Sequence, residues 1–393
     1  MKIVLLTESL GSGGAERQVC TLAGKFSRRG HSVCVATYAP GDFYEPLLER
    51  ERIEHRFLGG QGKVSWTLNV RRFLSTQGQH VVLALLPGPS AYAELSGFPR
   101  RPWGLVVSER LAKRRSALDP KLWLHRLADY VITNSHANRL IIERRCPWLA
   151  PKLVTIYNGV RIAARPGTGG RAGRGPAVRL VVAARFVGQK NLSGLIRALA
   201  DLKTRNDTMS VVVDWFGDRE REPEVFPEAQ RQIANLGLED MLCLHPPTRH
   251  IHEAMAESEA VLLPSFYEGL PNSVCEGMAL GKPILTSDVC DARNLVEEGV
   301  NGFLFDPHTP SSIADAIARF ARLTSDEKDR MGRASRAKAE VLFDVGSVAD
   351  RYLRVLEAAA ARKDVRIENW PEEVPDSALR SISDSNGGGP GRG

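Results

Sequence analysis

Arg185 and Lys190 stand where an apolar run, Val181-Val182-Ala183-Ala184, gives way to the loop Phe186-Val187-Gly188-Gln189 and then to a helical pattern from Leu192. Two cations on one loop between a strand and a helix can point at one diphosphate and neutralise the charge that builds on a departing nucleotide. A solvated surface pair is the plainer alternative. A second stretch, Pro264-Ser265-Phe266-Tyr267-Glu268-Gly269-Leu270-Pro271-Asn272-Ser273-Val274-Cys275-Glu276, places one glutamate in a loop and another in the first turns of a helix that Asn272 or Ser273 could cap. Each carboxylate can accept a pair of hydroxyl hydrogen bonds, and the helix start can take phosphate oxygens through its N–H groups. That suits a sugar and a ribose at opposite ends of a diphosphate. A glutamate that only complements the helix dipole is the alternative. A third stretch, Gly11-Ser12-Gly13-Gly14-Ala15-Glu16-Arg17, lets backbone pass close to a ligand before a helix begins. It is neither a Gly-x-Gly-x-x-Gly fingerprint nor a Walker loop, and a plain tight turn would look the same.

The elements that must hold these residues follow from hydrophobic periodicity. Strands are predicted at Lys2–Thr7, His31–Thr37, Val81–Leu86, Gly104–Val107 and Tyr130–Asn134, with a helix over Ala15–Arg29. Arg165 to Pro176 is rich in Gly, Arg and Pro and reads as a linker. Alternation resumes with strands at Arg179–Ala184, Val211–Phe216, Met241–Leu244, Val261–Pro264 and Pro283–Thr286, a helix over Leu192–Arg205, and a last helix over Ser347–Arg362 with Ser347 as cap. Such alternation implies parallel sheets covered by helices, with ligands beyond the carboxyl ends of the strands. The expected domains are 1–165, a linker at 166–176, a second domain at 177–345, a helical segment at 346–370 and a disordered tail at 371–393.

At 393 residues, 43% of them hydrophobic and 25% charged, the chain has the composition of a globular protein with two domains. No apolar run approaches the roughly 20 residues that span a bilayer, and Glu8 comes too soon for a signal peptide, so a cytoplasmic protein is expected. The six cysteines form no Cys-x-x-Cys pair and read as buried thiols rather than a zinc or disulfide framework. His245, His250 and His252 lack a recognised ligand spacing, and Asp288 and Asp291 read as capping or surface residues, so no metal site is expected. Residues 1–165 carry 25 Lys/Arg against 12 Asp/Glu, and the remainder 28 against 34. The first half therefore either faces something anionic, whether a phosphorylated acceptor, acidic lipid or nucleic acid, or is simply a solvated basic surface. No helix-turn-helix, zinc finger or aromatic recognition motif supports nucleic acid.

Taken together, Glu268-x7-Glu276 with its Gly-Leu-Pro-Asn insert resembles the family 4 retaining glycosyltransferases of the GT-B fold. The resemblance extends over Gly13-Gly14-Ala15-Glu16-Arg17, Val131-Ile132-Thr133-Asn134-Ser135, Ile156-Tyr157-Asn158-Gly159-Val160, Arg185 with Lys190, Gly281-Lys282-Pro283 and Gly299-Val300-Asn301-Gly302-Phe303-Leu304. It implies an α/β protein of two Rossmann-like domains facing across a cleft, and a hexosyltransferase moving a hexose or N-acetylhexosamine from a nucleotide sugar, with UDP as the base carrier expected, to a hydroxyl of a glycan or lipid-linked saccharide. Arg185, Lys190 and Glu268 would carry the chemistry. The first two would bind the diphosphate, Glu268 would position the transferred sugar, and Glu276 would bind the ribose. Gly269, Leu270, Pro271, Asn272 and Ser273 would assist, Gly13 and Gly14 would close over the phosphates, and Arg249 would lie where the base is cradled.

Many relatives place a His after the strand at Gly104–Val107, where this chain reads Ser108-Glu109-Arg110. That version resembles the branch that elongates polyprenyl-diphosphate-linked oligosaccharides or surface polysaccharides such as lipopolysaccharide or capsule. Ser108, Glu109 and Arg110, followed by Lys113, Arg114 and Arg115, would then meet the acceptor or a lipid headgroup, and a peripheral position on the inner face of the cytoplasmic membrane stays open. A cofactor or metal would be unnecessary, since the two cations do the electrostatic work. A nucleotide-sugar epimerase and a non-catalytic nucleotide-sugar-binding scaffold remain as alternatives.

Overall fold

The computed structural model describes residues 1–11, 14–78, 80–110, 120–162, 177–205, 210–362 and 369. Gly13, Lys113 to Arg115, the linker at 166–176 and the tail at 371–393 lie outside the described residues. The chain divides into two compact units, one formed by Met1–Gly159 with the helix that follows Asp344, the other by Val160–Phe343.

In the first unit, β1 (Lys2–Thr7), β2 (Ser32–Thr37), β3 (Glu54–Phe57), β4 (Val81–Leu85), β5 (Gly104–Glu109), β6 (Tyr130–Thr133) and β7 (Leu153–Thr155) form one sheet in the order β3-β2-β1-β4-β5-β6-β7. Every pairing is parallel. Ile3 to Leu6 and Val81 to Leu85 are fully buried, which is why these strands read as unbroken apolar runs rather than alternating ones. The helices are α1 (Gly14–Arg28), α2 (Glu45–Arg50), α3 (Lys63–Ser75), α4 (Pro87–Ser96), α5 (Pro120–Leu124) and α6 (His136–Arg145). Helix α1 packs Val19, Leu22 and Phe26 into a core with Ile3 and Leu5, whereas α3, α4 and α6 send Val70, Ala93 and Ile142 into a second core with Val4 and Leu6. The two cores use opposite faces of β1, as the period of two requires.

In the second unit, β8 (Ala177–Ala183), β9 (Ser210–Phe216), β10 (Leu242–His245), β11 (Ala260–Leu263), β12 (Ile284–Ser287) and β13 (Gly302–Phe305) pair in the order β10-β9-β8-β11-β12-β13, again all parallel. They alternate with α7 (Leu192–Thr204), α8 (Val225–Leu236), α9 (Ile251–Glu257), α10 (Asn272–Ala279), α11 (Ala292–Leu295), α12 (Pro310–Ala321) and α13 (Ser325–Phe343).

The last helix, α14 (Val345–Ala361), returns to the first unit, where Val348, Tyr352, Val355 and Leu356 join the core under α1. Its cap is Asp344, whose Oδ2 accepts the Ser347 N–H at 2.7 Å, so the capping residue is three positions before the expected Ser347. Gly104 explains the close docking: a Cβ there would lie 2.6 Å from the Ala359 carbonyl oxygen, so only glycine lets β5 and α14 touch through backbone. No helix among the described residues is long and apolar enough to cross a membrane.

Candidate active site

Strand order fixes where a ligand can enter the second unit. The chain leaves β8 toward β9 on one side and leaves β11 toward β12 on the other, so the loops after β8 and β11 part and open a crevice at their carboxyl ends. The first loop carries Arg185 and Lys190; the second carries Glu268 and leads into α10. The sequence reading therefore placed its two strongest stretches on the two sides of one topological switch point.

The loop after β8 is tightly held. Asn191 adopts a left-handed backbone (φ +59), its Oδ1 caps α7 by accepting the Gly194 N–H at 3.1 Å, and its Nδ2 donates to the Pro307 carbonyl at 2.8 Å. Gln189 bridges the crevice: its carbonyl accepts the Phe266 N–H at 3.0 Å and its Nε2 donates to the Tyr267 carbonyl at 2.7 Å. Lys190 Nζ forms an ion pair with Glu268 Oε1, both side chains largely out of solvent. The Arg185 side chain is exposed and makes no hydrogen bond or ion pair with any described residue. One cation is thus pre-paired with a carboxylate and the other stands open.

Helix α10 lies close against β11 because residue 277 is glycine; a Cβ there would come within 2.5 Å of Val261 Cγ2. This seating buries Glu276, only 6% exposed, with Oε2 2.8 Å from His252 Nε2 of α9. The residue before α10 is Pro271, and no side chain caps this end, so neither Asn272 nor Ser273 serves as the expected cap. Leu270 and Pro271 are buried, Asn272 and Ser273 half-buried, and Arg249 is exposed at the start of α9. The Glu268 N–H donates to Cys290 Sγ at 3.4 Å, and burial pushes the Cys290 thiol up to about 12, so it acts as a neutral brace rather than a nucleophile. Ser265 Oγ is buried beside this loop without a hydrogen-bond partner among the described residues. His252, Gln189 and Cys290 are not legible as site residues in the sequence, since each acts through a contact between segments distant in the chain.

In the first unit the three residues expected to meet an acceptor are all buried: Ser108 0%, Glu109 2% and Arg110 8% exposed. Arg110 donates to Ser108 Oγ and to the Tyr352 hydroxyl, both at 3.2 Å. Glu109 lies 3.8 Å from Nε2 of His125, whose Nδ1 is 2.7 Å from Glu94 Oε1. Burial opposes the charge on this imidazole, yet the two carboxylates of Glu109 and Glu94 prevail and push His125 up to about 9. A histidine does stand beside Ser108-Glu109-Arg110, but it comes from the turn after α5 and sits beneath the strand end. Gly14 is the first residue of α1 and is exposed.

Among the described residues, the group with metal-ligating types close together is Asp214, Cys243 and His245 on β9 and β10, not His245, His250 and His252. Asp214 is already paired there with Arg179 at 2.9 Å and with His245 at 2.7 Å. His250 pairs with Glu253 at 2.9 Å, Asp288 with Arg293 at 2.8 Å, and Asp291 is buried at the start of α11.

Two family models match the chain: Glycosyltransferase Family 4 over residues 12–164 and Glycosyl transferases group 1 over residues 175–338. A D-inositol 3-phosphate glycosyltransferase of Streptomyces griseus is 30% identical over 151 residues, which are 37% of this chain and 32% of that protein. A glycogen synthase of Mycobacterium tuberculosis is 29% identical over 264 residues, 64% of this chain and 59% of the relative. The chain thus spans about a third to three fifths of these curated relatives. The solved structure of Anabaena Alr3699/HepE in complex with UDP-glucose superposes with a TM-score of 0.77 at 24% identity, covering 91% of this chain and 100% of that one. The fold they share is GT-B.

Proposed function

Because the chain belongs to the group 1 and family 4 glycosyltransferases, we propose that it transfers a hexose or N-acetylhexosamine, with retention, from a UDP-sugar to a hydroxyl of a glycan or lipid-linked saccharide. The observation that carries this reading is the switch-point crevice of the second unit, where the Lys190–Glu268 ion pair joins the loop that carries Arg185 to the loop that leads into α10 and Glu276.

In this reading Glu276 accepts the ribose hydroxyls, with His252 Nε2 beside one of its carboxylate oxygens. Arg185 and Lys190 take the diphosphate, together with backbone donors around Leu270 to Ser273. Glu268 positions the transferred sugar. Its ion pair with Lys190 holds the lysine in place until the donor arrives. In the transfer step the bond from the anomeric carbon to the phosphate oxygen breaks, and the acceptor oxygen bonds to the same face. The acceptor proton passes to the departing phosphate oxygen, whose charge the two cations stabilise, so that no metal or cofactor is required. Arg249 would lie near the base.

A polyprenyl-diphosphate-linked acceptor accords with the basic first half, and would place the protein at the cytoplasmic face of a membrane in polysaccharide synthesis. The test is incubation with UDP-, GDP- and ADP-sugars, with and without polyprenyl-diphosphate-linked saccharides, followed by mass spectrometry of nucleotide and glycan. Acceptor-dependent mass gain, lost in Glu276→Ala and Arg185→Ala, is expected. An isomerised donor without acceptor would mean an epimerase, and donor binding without product a scaffold.

A further inference from the structure

We propose that the outer surface of the helix layer formed by α3, α4, α5 and α6 in the first unit docks on an anionic lipid bilayer. The purpose of this docking rests on the reading of a lipid-linked acceptor; the surface itself stands on three independent observations.

The first is where apolar side chains are left uncovered. Thirteen large hydrophobic residues are exposed among the described residues, and six of them belong to this layer or to the turns that leave it: Val64 (75%) and Leu68 (59%) on α3, Leu95 (43%) on α4, Phe98 (61%) just after α4, Trp123 (44%) on α5 and Trp148 (39%) just after α6. Val64 and Leu68 are one helical turn apart on α3, on the side opposite Val70 and Leu74, which fill the core. Such clustering marks an interaction surface.

The second is that this surface is rigid and joined. Ser96 Oγ donates to the Thr67 carbonyl at 3.0 Å, and Arg71 Nη1 donates to the carbonyls of Ser96 at 3.0 Å and Phe98 at 2.5 Å, tying α3 to the turn that presents Phe98. Arg101 extends the connection by donating to the Leu127 carbonyl at 2.5 Å. Next to Leu127, the Arg126 guanidinium stands 5.4 Å from the Trp123 ring and 5.6 Å from the Trp148 ring. Tryptophans backed by a cation suit the boundary between headgroups and acyl chains, where one edge of the ring is wet and the body apolar.

The third is charge. From Gly59 to Ser108 the chain has five basic residues, Lys63, Arg71, Arg72, Arg100 and Arg101, and a single acid, Glu94. Glu94 is 1% exposed and turned inward to His125. Lys63, Arg72 and Arg100 are exposed and make no ion pair with any described residue. Exposed apolar residues on the same helices as unpaired cations match a bilayer with acidic headgroups. A second copy of the same surface would set cation against cation, which disfavours a symmetric dimer here.

The experiment is flotation of the purified full chain with vesicles of phosphatidylcholine alone or mixed equally with phosphatidylglycerol. Binding to the mixed vesicles, weakened by added salt, is expected. Leu68→Glu with Phe98→Glu should lower it at least about tenfold, and Lys63→Glu with Arg72→Glu should remove the preference for phosphatidylglycerol. Unchanged thermal melting checks that the variants fold, and Leu68→Ser with Phe98→Ser replaces the first pair if it does not. The proposal falls if the wild type binds no vesicles, if the apolar pair leaves binding unchanged, or if that pair instead dissolves a dimer seen by sedimentation. Sugar transfer to a water-soluble acceptor fragment is read alongside. Vesicle binding without any transfer would retire the transferase reading and keep the surface, whereas transfer without vesicle binding would do the reverse.

Discussion

Lys190 and Glu268, 78 residues apart in sequence, meet as an ion pair across the mouth of the second sheet. The pair joins the loop after β8 to the loop after β11, so it closes the switch-point crevice from within and couples the residue proposed for the diphosphate to the one proposed for the sugar. Breaking it should therefore harm catalysis more than stability.

Lys190→Ala is expected to lower kcat about 100-fold, the usual scale for losing one group that stabilises a leaving oxyanion. Glu268→Gln should lower it as well, and the double variant should be less impaired than the two effects combined, because each single change leaves the partner unpaired. Steady-state kinetics on the four proteins decide the point. Additive effects would show that the pair is not a unit.

Glu276→Ala should act mainly on donor binding, raising KM for the nucleotide sugar by about 10-fold or more with a smaller change in kcat, as expected for loss of hydrogen bonds made equally in ground and transition states. His252→Ala, which frees the carboxylate without removing it, should have the same sign and a smaller size. A kcat effect without a KM effect for Glu276→Ala would contradict the assignment to the ribose.

His125 gives the first unit a pH signature. Its folded pKa of about 9 lies above the ordinary value near 6.5, so its contribution to stability is fully present below about pH 6.5 and is lost as pH rises through about 9. Chemical denaturation of wild type and His125→Gln should therefore differ most at acid to neutral pH and converge above pH 9. A difference that grows with pH would mean that the imidazole is neutral between its two glutamates.

Gly104→Ala should lower the melting temperature. The added Cβ would meet the backbone of Ala359, which cannot rotate away, and overpacking of this kind costs about 1–3 kcal/mol. Scanning calorimetry would show it, and an unchanged melting temperature would mean that α14 is free to shift.

The legibility of this chain follows the range of its interactions. Strands buried on both faces, such as Val81–Leu85 and Ala260–Leu263, stand out as apolar runs, and the two strongest functional stretches were found because they follow such strands. Three edge strands, β3, β7 and β13, were missed. Glu54–Phe57 exposes most of its side chains and has no apolar run, and Leu153–Thr155 is only 3 residues long. The last helix was legible as a helix but its return to the first unit was not, because that depends on Gly104, 255 residues before the Ala359 that it meets. The same holds for His252 beside Glu276 and His125 beside Glu109. Caps were misplaced by one to three residues, since Asp344 and Pro271 each begin a helix next to an equally eligible Ser or Asn.

The most direct test is calorimetric titration of UDP into the wild type, Arg185→Ala, Glu276→Ala and, as a surface control on the same unit, Asp288→Ala. A switch-point donor site requires that Arg185→Ala and Glu276→Ala each weaken binding about 10-fold or more while Asp288→Ala leaves it unchanged. Equal UDP affinity in all four proteins would place the nucleotide elsewhere and contradict the account.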